Sequence, residues 1–323
     1  MKRLGIVNHP DYLLHAAPFE HPESPERLTA VMENLSASGL LEKTVQITHD
    51  FADDSDVMAV HDQKYLNHLE MSCRRGDMTL DAGDTYLCRH SYNIALLSAG
   101  GVVAGAKAVA EGTVDRAFCA IRPPGHHASR DMGMGFCLIN NVAVAAKHLQ
   151  ARHDVGKVLI IDWDVHHGNG TQNIFNEDPS VFFFSIHEHP TFSYPGTGRR
   201  WEIGKGKGEG ATLNAPMAPG SGDKEYKLVF EQTLFPAVER FRPDFIMISA
   251  GFDAHEDDPL SDIRLSNEGF RFMTRHVGML AEQFCGGRLV SVLEGGYEIP
   301  SLVSSVSIHV EELLGSDLST NGG

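Results

Sequence analysis

Cysteine is sparse in this chain of 323 residues. Cys73, Cys88, Cys119, Cys137 and Cys285 form an odd set with no CxxC spacing. That argues against a disulfide framework and against a thiolate zinc site, and predicts reduced, mostly buried thiols. Long apolar runs are lacking as well. The longest are short, as at 181–186, far below the roughly 20 residues that cross a bilayer. The opening Met-Lys-Arg-Leu-Gly has a basic pair but no apolar stretch of a signal peptide. The expectation is a soluble, intracellular, cytoplasmic protein with no membrane partner. Basic side chains are outnumbered, 27 against 43 acidic ones, for a formal charge of −16. Such a balance argues against direct nucleic-acid binding, which draws on a basic footprint, and favours cationic substrates by long-range attraction. No repeat, linker or low-complexity block divides the chain, so one domain is expected over 1–315, with 316–323 as a flexible tail.

What is present is a 42% hydrophobic composition, enough for a sizeable core, and 18 histidines, several beside Asp and Gly. Short β-rich segments (5–8, 45–48, 117–121, 157–162, 181–186, 244–249 and 288–293) alternate with helical ones (25–39, 93–111, 141–152, 223–240, 266–285 and 302–314). Several of the former are unbroken apolar runs, as in parallel strands buried on both faces. The alternation predicts an α/β domain with a mostly parallel sheet of about eight strands and helices on both faces.

In such sheets ligands bind beyond the carboxyl ends of the strands. Four strand candidates run straight into polar chemistry there: Arg-Pro-Pro-Gly-His-His, Asp-Trp-Asp-Val-His-His-Gly-Asn-Gly, Ala-Gly-Phe-Asp-Ala-His and Glu-Gly-Gly-Tyr. Asp164 and His166 are two apart, and if the strand stays extended both point to one side. Asp253, after another strand, is a natural third ligand. Two carboxylates and one imidazole suit a single divalent ion with an open position, which acidifies water and polarises a carbonyl. His167 faces the other way and reads as a structural hydrogen-bonding group. His126 and His127 follow a rigid Pro-Pro-Gly turn and are general acid and base candidates. Tyr297 follows Gly295 and Gly296, where the backbone can approach a ligand and a phenol can donate to a developing oxyanion. Each feature alone has a plainer reading, such as a surface histidine pair or a packed tyrosine; their convergence on one sheet edge is what points to a site.

Taken together, RPPGHHA (122–128), GFCLINN (135–141), DWDVHHGNGTQ (162–172), YPGTG (194–198), SAGFDAHEDDPL (249–260) and LEGGY (293–297), in this order and after HPESPERL (21–28), give a chain that resembles the histone deacetylase family. The likeness is greatest to its class II branch and bacterial relatives. It implies the arginase/deacetylase fold and zinc held by Asp164, His166 and Asp253, with ferrous iron as the other ion to consider. It further implies that His126 and His127 handle protons, with His127 as general base, and that Tyr297 binds the scissile carbonyl oxygen. Asp162 and Asn169 would orient the two histidines. Aspartate raises an imidazole's proton affinity more than asparagine does, so His126 is expected to be the more readily protonated ring.

The same resemblance places Gly135, Phe136 and Tyr194 in the wall of an acyl-lysine tunnel, Leu260 at its rim, and Gly295 and Gly296 beside the substrate. Structural potassium would lie among Asp162, Asp164, His166, Ser185 and Ile186, and a second ion among Phe175, Asp178 and Val181. The implied activity is hydrolysis of N6-acyl-lysine on a peptide or protein, or of a small acylated amine. Acetylpolyamine hydrolysis is the alternative; Leu260, where a polyamine-selective branch has glutamate, weighs against it, while Asp81, Asp84, Glu256 and Asp257 leave it open. A binuclear arginase-like hydrolase lacks a second ligand set, and a non-catalytic acyl-lysine reader would not need Tyr297.

Overall fold

A computed structural model of the chain describes residues 2–81 and 83–315, so the tail expected at 316–323 lies outside the described residues. Eight strands form one sheet: β1 (Leu4–Val7), β2 (Thr44–Ile47), β3 (Arg116–Cys119), β4 (Val158–Asp162), β5 (Val181–Glu188), β6 (Thr212–Met217), β7 (Phe245–Ala250) and β8 (Leu289–Leu293). Their order is β2-β1-β3-β8-β7-β4-β5-β6, and every pairing is parallel. The inner strands β1, β3, β4, β5, β7 and β8 are buried at every residue. That is why they read as continuous apolar runs rather than alternating ones.

The helices are α1 (Pro25–Ala37), α2 (Asp54–Met58), α3 (Gln63–Arg75), α4 (Ser91–Ala110), α5 (Asn141–Arg152), α6 (Asn169–Phe175), α7 (Asp223–Val229), α8 (Phe235–Phe241), α9 (Asn267–Cys285) and α10 (Ile299–Leu314). α4 packs on α5, and α10 packs on α9 and α1, forming two helical layers against the middle of the sheet. α4 is long and apolar enough to cross a bilayer by length and composition, but 67% of its apolar window is buried inside the fold.

Several elements escaped the sequence pattern. β6 contains Pro216, which no central strand tolerates; it is an edge strand, where a missing N–H is harmless. α3 and α6 read as connections, although α3 buries Tyr65, Leu66, Leu69 and Cys73 at helical spacing. The helix expected over 223–240 is broken by a π turn at Phe230–Leu234 just ahead of Pro236, which lacks the N–H a continuous helix would use. Four of the five free thiols are buried and Cys88 is partly exposed.

Register brings the chemistry together. Asp162 at the end of β4 pairs with Ser185 of β5 and Ser249 of β7, and Ala250 of β7 pairs with Leu293 of β8. The segments that follow β3, β4, β7 and β8 therefore leave one edge of the sheet side by side. One sequence expectation needs correction: the chain is not extended through Asp164 and His166. β4 ends at Asp162, and the next residues turn. The two ligand candidates converge through that turn, not through strand alternation.

Candidate active site

Asp164, His166 and Asp253 each offer a ligand atom within 4.8 Å of the other two. His166 Nδ1 lies 3.2 Å from Asp164 Oδ1 and 3.1 Å from Asp253 Oδ2. One imidazole nitrogen carries at most one proton and cannot serve two carboxylates well, whereas a divalent cation among the three serves all of them. Both carboxylates are fully buried. Burial and the neighbouring Asp164 push Asp253 up to about 7, a cost that a bound cation removes. The backbone makes room for this cluster with glycine. A Cβ on Gly295 would sit 2.6 Å from Asp164 Oδ2 and closer still to Asp253, and one on Gly251 would collide with Asp164. The Gly295 N–H donates to Asp164 Oδ2 at 2.8 Å, and the Val165 N–H to Asp253 Oδ1 at 2.9 Å. The donor set thus fits a divalent ion.

The tandem histidines lie beside this cluster with ring centroids 4.0 Å apart. His126 Nδ1 is 3.0 Å from Asp162 Oδ2, and its Nε2 is 3.8 Å from Asp164 Oδ1. Burial alone would lower its pKa, but Asp164 and Asp162 outweigh burial and raise it well above 6.5. His127 Nδ1 meets Asn169 Oδ1 at 2.7 Å. Burial, reinforced by His126 and His166, lowers its pKa well below 6.5. Asn169 Oδ1 can only accept, so Nδ1 of neutral His127 carries the proton and Nε2 is left as a base. His167 is turned away, bonded to Thr197 Oγ1 (2.8 Å) and Gln172 Oε1 (2.9 Å), the structural role its sequence position suggested.

A cavity of about 410 Å³ reaches these groups. His127 and His166 line it, together with Tyr297, Gly135, Phe136, Tyr194 and Leu260. His127 is buried, while Tyr194 is 42% and Leu260 38% exposed, so the cavity runs from His127 and His166 to a partly apolar mouth. Tyr194 meets the His127 ring edge-on at 5.1 Å, and Phe136 meets Tyr297 at 5.8 Å. Gly135 is in the left-handed region, and a Cβ there would strike His127 and Tyr194. Of the acidic residues left open above, only Asp84 lines this cavity. The Asp81 carboxylate is held by Gly83 and Thr85, and Asp257 faces a different hollow.

The histone deacetylase domain family matches residues 21–313. The chain belongs to the histone deacetylase family. It is 42% identical over 318 residues to a "Probable deacetylase" of Archaeoglobus fulgidus, covering 98% of this chain and 87% of that one. It is 40% identical over 295 residues to a "Histone deacetylase-like amidohydrolase" of Pseudomonas aeruginosa, covering 91% and 77%. The solved structure "Crystal Structure of HDA15 HD domain" superposes with a TM-score of 0.92 at 37% identity, over 98% of this chain and 90% of that one. The protein is therefore a family hydrolase that acts on amide bonds, with a single domain of the deacetylase fold.

Around these groups stand buried charged residues that sequence reasoning did not single out. Glu294, fully buried, accepts the N–H of Gly125 (2.7 Å) and of His126 (3.2 Å) and so ties the Pro-Pro-Gly-His-His turn to β8. Burial raises it to about 7. Arg27 donates to the carbonyls of Gly296 (2.6 Å) and Glu294 (2.7 Å) and stands 4.9 Å from the Tyr297 ring centroid. Glu23 binds Arg122 through both oxygens at 2.9 Å. Burial would raise that carboxyl, but Arg122 holds it well below the usual range. Asp258 accepts the N–H of Tyr297 at 2.7 Å. Each has a signal in the motifs HPESPERL, HEDDPL or LEGGY, but the partner lies far along the chain.

The remaining candidates fall into two places. Asp162 and Ser185 are register neighbours beneath Asp164 and His166, with Ile186 next in β5. Phe175, Asp178 and Val181 meet in the turn between α6 and β5, where the Asp178 carboxylate pairs with Lys147.

Proposed function

We propose that this deacetylase hydrolyses N6-acyl-lysine, with one divalent ion, zinc, held by Asp164, His166 and Asp253. The observation that carries the reading is one cavity with largely apolar walls whose buried end is lined by His127, Tyr297 and His166, the last in contact with Asp164 and Asp253 behind it. An ion at the ligand cluster supplies Lewis acidity, which polarises the acyl carbonyl and acidifies the attacking water. Gly135, Phe136 and Tyr194 enclose the aliphatic lysine stem and exclude bulk water, Gly295 and Gly296 set Tyr297 at the end of the cavity without lining it, and Leu260 meets the chain at the rim. His127 Nε2 takes the proton of the attacking water, because Asn169 holds the other ring nitrogen as a donor. The Tyr297 hydroxyl, which donates to no protein group among the described residues, is free to donate to the carbonyl oxygen as it becomes an oxyanion. A protonated histidine of the pair then gives its proton to the leaving amine, with Asp162 orienting the His126 ring through Nδ1.

Asp84 supports a second reading, an acetylpolyamine substrate whose distal ammonium would meet that carboxylate. Comparing kcat/KM on acetyl-lysine peptides and acetylspermidine, with the metal quantified, decides between them. A higher value on the peptide is expected; a large preference for acetylspermidine overturns the lysine assignment, and iron in place of zinc corrects the ion.

We further propose structural potassium at backbone oxygens of Asp162, Asp164, His166 and Ile186 with the Ser185 hydroxyl. His187 Nε2 donates to the Gly198 carbonyl, so its Nδ1 accepts from Ser185 at 2.8 Å, leaving the serine oxygen's lone pairs for a cation. Phe175, Asp178 and Val181 would offer carbonyls to a second ion.

A further inference from the structure

The segment from Tyr194 to Glu202 lies over α6, and polar groups make the attachment. The Glu202 carboxylate accepts the N–H of Gly198 (3.0 Å) and of Arg199 (2.8 Å) through one oxygen and the Gln172 side-chain amide (2.7 Å) through the other. Gln172 Oε1 in turn accepts from Asn214 (2.7 Å) and from His167 Nε2 (2.9 Å). His167 Nδ1 receives the Thr197 hydroxyl at 2.8 Å, and His187 Nε2 donates to the Gly198 carbonyl at 2.9 Å. Gly198 has φ +91°, and a Cβ there would strike both the His167 and His187 rings, so the segment rests directly on them. At its start, Tyr194 forms cavity wall edge-on to His127. Gln172 follows Asn169 by three positions on α6, so both project from one side of that helix. One short helix therefore carries the amide that orients His127 and the amide that anchors the Tyr194 segment.

We propose that Glu202 is a positioning residue: clamped to Gln172, it fixes the 194–202 segment and so holds Tyr194 against His127 as a wall for the substrate. The inference rests on the deacylase reading above, because its kinetic consequence is a loss of substrate fit. An ionised carboxylate gathering three N–H donors makes charge-assisted bonds, stronger than the neutral contacts elsewhere along the segment. Removing it frees two backbone N–H groups at once, and the wall loses its fixed position while the ion ligands and both tandem histidines keep theirs.

The test is Glu202→Ala beside Glu202→Gln. Glu202→Ala is expected to raise KM for an acetyl-lysine peptide by ~10-fold with kcat within ~3-fold, the size of one lost charged hydrogen bond. Glu202→Gln, which keeps one acceptor oxygen, recovers part of that loss and carries the comparison if the alanine variant does not fold. Two readouts do not need turnover. Hydrogen exchange of the peptide spanning 194–202 should quicken in both variants. Acrylamide quenching should change as well, and it reports this segment alone, because Trp201 is 72% exposed and the other tryptophan, Trp163, is fully buried. Unchanged KM with unchanged exchange overturns the proposal, as does a loss confined to kcat. If the wild-type protein turns over no acetyl-lysine peptide, the deacylase reading fails, and exchange and quenching still decide the clamp.

Discussion

His126 and His127 are neighbours in sequence with opposite proton affinities. The difference lies in what each Nδ1 meets, a carboxylate of Asp162 or an amide of Asn169. Because burial and the adjacent imidazoles hold His127 below 6.5, its neutral, active form persists as pH falls through 6.5. The acid limb of kcat/KM should accordingly lie below pH 6.5. Asn169→Asp places a carboxylate on Nδ1, raises that pKa and should move the limb upward in a kcat/KM pH profile; an unmoved limb would mean His127 is not the base. Tyr297→Phe removes one oxyanion donor without touching the ion ligands. A kcat loss of at least ~10²-fold with metal content unchanged is expected, and a near-wild-type rate would remove the phenol from the mechanism. Asp253→Ala should instead lose the metal.

At the scale of elements, the junction of β8 with α10 does more than its five motif residues suggest. Glu294 holds the histidine turn, Gly295 lies against both carboxylates, and Tyr297 reaches the cavity. Arg27 of α1 and Asp258 of the β7–α9 connection fasten this junction from two other elements. A methyl group at Gly295 would press into the ion ligands, so Gly295→Ala should weaken metal binding ~10–100-fold while circular dichroism stays native. Competition against a chelator measures it, and full retention of metal would show that the carboxylates can shift aside. The motif LEGGY is visible in the sequence, but the dependence of its parts on Arg27, some 270 positions away (|i−j| = 269 to Gly296), is not. No periodicity says which buried arginine meets which carbonyl.

Across the whole molecule, burial sets the acid response. His15 and His309 are held at about 3, and His61 and His167 at about 4, chiefly by burial, while His127 and His187 are also lowered. The unfolded chain takes up protons on these six below pH 6.5 and the native chain does not, so these six draw stability down as pH falls from 6.5 toward 4. Asp162, Asp253 and Glu294, raised to about 6, 7 and 7, oppose this over the same window, as do the raised His126 and His166 at its upper end, and binding a cation takes Asp253 and His166 out of that set. The histidine share is checked one group at a time: His309→Gln removes a buried imidazole held at about 3, so urea unfolding of that variant should show a smaller loss, or larger gain, of stability from pH 7 to 5 than the unsubstituted protein does. The sequence by itself determined the strand-rich, helix-alternating class and singled out the candidate ion ligands Asp164, His166 and Asp253, the tandem histidines and Tyr297. Buried parallel strands must be apolar runs, and reactive side chains must follow them, so both leave local marks. Only the tertiary structure decided the edge strand β6, the turn that brings Asp164 to His166, and the clamps made by Glu294, Arg27, Glu23 and Glu202. A polar side chain's partner is chosen by proximity in three dimensions, and residue type and spacing do not record it.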